Sequence, residues 1–74
     1  MKAAVKPVHL TFREDEILKL AGKGMTNKEI GARLEISDLT VKKHMEHITA
    51  KLNQPNRIKA FLKASEAALL TTQA

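Results

Sequence analysis

Residues 40–52, TVKKHMEHITAKL, decide how this 74-residue chain folds. Steps of about 100° per residue put Val41, Met45, Ile48 and Leu52 in one narrow stripe, the mark of a helix with one face toward a core. Leu39, Lys43, Glu46 and Ala50 fall opposite, with Lys42 and His47 on the flanks. Ser37 is placed to cap this helix, and Asp38 at its first position suits the positive end of the helix dipole. The outward face is a ridge with modest side chains at 39 and 50 and long polar ones between. A ridge of that shape can enter a groove.

Upstream, two capping boxes mark two more helix starts. TFRE begins a helix at Thr11 with Glu14 as the return partner, and Leu10 before the cap can act as a staple. Ile17, Leu18 and Ala21 share a face, Leu20 lies beside it, and Gly22 and Gly24 end the helix. Glu14, Asp15 and Glu16 sit in its first turn, where negative charge is favoured. TNKE starts the next helix at Thr26, which runs to about Leu34 with Ile30 and Leu34 pointing inward. Gly31 in its middle costs about 1 kcal/mol relative to alanine, which close approach by a neighbour would offset. Glu35 and Ile36 form the turn into the Ser37 helix. Two short helices joined by a tight turn, the second with a basic outer face, match the helix-turn-helix plan.

Downstream, a fourth helix is expected to start between Asn53 and Asn56, with Pro55 in its first turn. Ile58, Phe61, Leu62, Ser65 and Leu69 share one side, while Ala60, Ala64, Ala67 and Ala68 make much of the rest small. That is more apolar surface than one tiny core needs, which suits either contact with a second subunit or an ordinary core helix. No segment alternates as a strand does. The fold class expected is all-α, a four-helix bundle. Residues 1–9 read as an arm or linker, 10–70 as the domain and 71–74 as a tail.

Composition narrows the function. The formal net charge is +5 and there is no cysteine. A chain this short supports one small core, held by helix packing rather than disulfides or zinc. A basic balance favours an anionic partner, nucleic acid above all. No uninterrupted apolar segment reads as a signal peptide or membrane span, so no membrane role and a cytoplasmic location are expected. No nucleophile with a paired base, no phosphate loop and no room for a cavity point to an enzyme. His44 and His47 stand three apart without a third ligand, which argues against a metal site. No cofactor is expected.

The stretch LTFREDEILKLAGKGMTNKEIGARLEIS, followed by TVKKHMEHITAKL and NRIKA, resembles the LuxR-type (NarL- or GerE-type) helix-turn-helix domain. The match runs in unbroken register from about Leu10 to Phe61. The resemblance implies a four-helix domain that reads duplex DNA as a homodimer on an inverted repeat and regulates bacterial transcription. Such domains usually follow a phosphorylated receiver or a small-molecule sensor, though some are freestanding, and RNA polymerase is a further partner for such a regulator. By resemblance the third helix is the recognition helix. Lys42, Lys43 and Glu46 then face base edges, while Thr26, Asn27, Lys28, Thr40, His44, Lys51 and Arg57 match positions at the DNA backbone. The fourth helix matches the dimerisation helix, with Leu62, Ser65 and Leu69 at the interface.

This chain departs from the pattern in three places. Phe12 stands where proline is frequent, and Gly31 replaces a more usual alanine. Glu46 is acidic where relatives often carry a basic or neutral group. It either accepts from a cytosine amino group, orders a neighbouring lysine, or pairs along the helix with Lys42 or Lys43. A helical adaptor that binds protein is the alternative from another class. An adaptor needs apolar anchors on the outward ridge, and Leu39 is the only one there.

Overall fold

The computed structural model describes residues 8–67. Four helices follow one another, α1 (Phe12–Gly22), α2 (Asn27–Leu34), α3 (Asp38–Leu52) and α4 (Arg57–Glu66). No strand occurs among the described residues.

Each helix starts where a side chain satisfies the backbone. At α1 the Thr11 N–H donates to Glu14 Oε1 at 2.9 Å, and the Glu14 N–H donates to Thr11 Oγ1 at 3.1 Å. The same reciprocal pair at α2 joins Thr26 and Glu29 at 2.8 and 3.1 Å. Ser37 Oγ accepts from the Thr40 N–H at 3.0 Å to open α3. The start of α4 falls at the end of the expected range, with Asn56 as its cap accepting from the Lys59 N–H at 2.9 Å, but Pro55 precedes the helix rather than lying in its first turn. Asn53 is spent closing α3 in the left-handed region (φ 55°), which leaves Asn56 as the next side chain able to cap.

The core is built on α1, which touches all three other helices. Ile17, Leu18, Leu20 and Ala21 are buried there, a wider face than one stripe, because three neighbours surround it. Ile30 from α2 and Val41, Met45, Ile48 and Leu52 from α3 complete the centre. Leu10, Leu34 and Phe61 pack at its edge, as does Val8 from the preceding segment. The glycine in α2 has the expected cause. A Cβ at Gly31 would stand 2.6 Å from the Ile36 carbonyl oxygen, so the turn backbone lies directly against this helix.

The packing face of α4 is its small-residue side. The alanines, Ala60 and Ala64, are its buried residues, while Ile58 is 51% and Leu62 53% exposed. Methyl groups let α4 lie close against the already filled surface of α1 and α3. Phe61 tilts inward, its ring covering Gly22 at the end of α1. Leu69 and Ala68 lie outside the described residues.

Candidate nucleic-acid interface

On α3 the outward ridge stands clear of the protein. Leu39, Thr40, Lys42, Lys43, Glu46, His47 and Ala50 are exposed, and His44 is half-buried. Neither Lys42 nor Lys43 forms an ion pair with Glu46, whereas the carboxylates of α1 pair as Arg13–Glu16, Lys19–Asp15 and Lys51–Glu14. The local pairing considered for Glu46 is therefore not made, and its carboxylate points to solvent beside two free ammonium groups. The helix is 15 residues long, about 22 Å, and its two ends are fixed by Ser37 and Asn53.

Two of the cations expected at the DNA backbone have partners inside the protein. Lys51 Nζ donates to Glu14 Oε1 at 2.6 Å and to the His9 carbonyl at 2.9 Å. Burial pushes the Glu14 carboxyl up. The bonds from Lys51 and the Thr11 N–H, with the positive charges of Lys51 and His44, outweigh it and hold the group below its ordinary value. The result is a clamp from the last turn of α3 to the first turn of α1. Arg57 forms a second clamp. Its Nη1 donates to the Met25 carbonyl at 3.1 Å, and its Nη2 donates to Asn27 Oδ1. No helix-to-helix packing joins α2 to α4 among the described residues, so this side chain spans the gap.

At that junction lies an open hollow lined in part by Met25, Thr26, Asn27, Lys28, Arg57 and Ile58. The first turn of α2 borders it, and helix starts suit oxygen anions. Thr26 and Lys28 are exposed there. Thr26 Oγ1 is already engaged by the cap. Sequence reasoning placed Lys28, Asn27 and Arg57 in one role, and the structure does bring them together. It missed the His9 carbonyl and the Glu14 carboxylate as the holders of Lys51, and the Met25 carbonyl as a holder of Arg57. Glu14 and Lys51 are 37 residues apart, and Glu14 already had a local explanation as a capping partner.

Leu62 and Ser65 are exposed on the same side of α4 as Ile58. They form a face that the protein's own core leaves uncovered. Among the described residues no group of three or more metal-binding side chains converges, and no helix is long and apolar enough to cross a membrane.

A short α2, a tight turn and an α3 that is apolar on one side and cationic on the other define a helix-turn-helix DNA-binding domain. Residues 8–64 match the model of the luxR family of bacterial regulatory proteins, and the chain belongs to that family. It is 45% identical over 51 residues to the nitrate/nitrite response regulator NarL of Escherichia coli strain K12, covering 69% of this chain and 24% of that protein. The transcriptional regulatory protein LiaR of Bacillus subtilis is 49% identical over 55 residues, 74% of this chain and 26% of its own. The chain thus spans about a quarter of the length of these relatives. Among solved structures, the transcription factor GerE superposes with a TM-score of 0.79 at 32% identity, over 89% of this chain and 97% of that one. The response regulator ChrA of a heme-sensing two-component system gives 0.79 at 35%, over 92% and 33%.

Proposed function

We propose that this domain binds double-stranded DNA in a sequence-specific manner as a homodimer, with α3 in the major groove. The observation that carries the reading is the division of α3: every buried side chain on it faces the core, and a free cationic ridge faces away. Lys42, Lys43 and Glu46 meet base edges, lysine favouring guanine and the carboxylate a cytosine amino group. Thr26, Lys28, Thr40 and His44 lie at the phosphates. Lys51 and Arg57, with Asn27, contribute to that surface chiefly by holding it in shape, since their polar groups are already bonded inside the domain.

The pairing surface is α4 through Leu62 and Ser65, supported by their exposure beside Ile58. Leu69, assigned to the same interface, lies outside the described residues. The similarity to NarL, LiaR and ChrA supports a place as the effector domain of a cytoplasmic response regulator. RNA polymerase is a further partner in that setting.

Selection from random duplex DNA, followed by binding to the enriched duplex across a salt series, tests the reading. An inverted repeat should emerge, its half-sites about one helical turn apart. Log K should fall linearly with log salt, by about 0.9 for each phosphate neutralised. Salt-independent binding, or protein capture through α3 without DNA affinity, would overturn it in favour of the adaptor.

A further inference from the structure

Leu39 is 59% exposed although the core is complete without it. It lies in the first turn of α3, opposite the Val41, Met45, Ile48 and Leu52 stripe and in line with Lys43 and Glu46. The hydroxyls beside it are not free to cover it: Ser37 Oγ and Thr40 Oγ1 lie 2.9 Å apart in a hydrogen bond, and Ser37 also caps the helix. The leucine is left as an apolar knob at the leading end of a polar ridge. Among the described residues, the other large exposed apolar side chains, Phe12, Ile58 and Leu62, sit on α1 and α4, so Leu39 is not part of a continuous apolar patch on α3.

We infer that Leu39 is a specificity-determining residue that packs against the 5-methyl group of a thymine in the major groove. This rests on the DNA-binding reading given above. Of the groups a base pair presents in that groove, only the thymine methyl is apolar; a phosphate or a guanine edge gains nothing from leucine. The first turn of a recognition helix is also the part that reaches base edges. Leu39 precedes Lys43 by about 6 Å along the helix axis, roughly two base steps at about 3.4 Å each. The thymine therefore lies within about two base pairs of the position Lys43 reads.

Deoxyuridine lacks only that methyl, which makes the test direct. The full 74-residue chain is first used to select a duplex, and each thymine of that duplex is then replaced singly by deoxyuridine. Replacement at one thymine per half-site should weaken binding about three- to fivefold. Leu39→Ala should lose a similar factor on the thymine duplex and change less than twofold when the same thymine is replaced. Its circular-dichroism melt should match the parent, since no core contact is removed. Uridine sensitivity that persists unchanged in Leu39→Ala, or a flat uridine scan of the parent, overturns the assignment alone. Failure to select any duplex overturns the DNA-reading function, and this assignment with it.

Discussion

Glu14 has two jobs at once. Its carboxylate returns the capping bond to Thr11 and receives the Lys51 ammonium, while only 7% of the residue is exposed. Because its folded-state value lies below the ordinary 4.5, the stabilisation is fully present above about that pH and is lost as pH falls through the lowered value. Lys51→Ala removes the outweighing partner and leaves a buried carboxylate that prefers its proton. The variant should be less stable at neutral pH by about 1–3 kcal/mol in urea unfolding, and the gap to the parent should narrow below pH of about 4.5. An unchanged gap across the acid range would remove Glu14 from the account. For DNA, a cleaner pair than Lys51 is available. Lys43→Ala should cost about 1–3 kcal/mol at the preferred duplex and relax its choice of sequence, whereas Lys28→Ala should weaken all duplexes alike and flatten the salt slope. Fluorescence anisotropy on matched and scrambled duplexes separates the two.

At the scale of the element, the turn between α2 and α3 holds Glu35 in the left-handed region at φ 62°, which costs a non-glycine residue about 1 kcal/mol. Glu35→Gly should raise stability by about 0.5–1 kcal/mol, read as a higher urea midpoint at unchanged slope. The starts of α1, α2 and α3 were legible in the sequence because a cap is a bond between residues three apart, which spacing alone reveals. So was the core stripe of α3, whose apolar and polar residues segregate cleanly. The face of α4 was not. Its apolar side chains exceed what a small core can take, and which of them turn inward is settled only when α1 and α3 are in place: Ala60 and Ala64 are buried with part of Phe61, and Ile58 and Leu62 stay outside. Pro55 misled for a similar reason: its first-turn preference is local, but Asn56 offers a cap side chain that a proline cannot. Of the interface, the outward ridge was legible, while the internal partners of Lys51 and Arg57 were not, being set by tertiary neighbours.

For the molecule as a whole, the apolar surface left by that arrangement is the pairing surface of the proposed dimer. Leu62→Glu should leave the melting curve within about 1 °C to 3 °C of the parent, since exposed positions contribute little. It should abolish cooperative occupation of two half-sites and leave weak binding to one. Analytical ultracentrifugation on a two-half-site duplex distinguishes one bound copy from two, and an unchanged stoichiometry and cooperativity would place the pairing elsewhere. The domain's two internal clamps make this experiment interpretable, because α4 cannot be altered at its outer face without α2 and α3 staying where Arg57 and Lys51 hold them.

The alanine seam beneath α4 sets one more quantity. Methyls are the thinnest spacers a side chain can supply short of hydrogen, so α4 rides near its lowest height above α1 and α3, and a bulkier residue at 60 or 64 can move it only outward. In the proposed two-fold pair each copy would contribute that lift, and the separation between the two α3 helices would grow by their sum. The seam acts as a vernier: a single added methylene, far from any base, would retune which spacing between half-sites the pair can straddle.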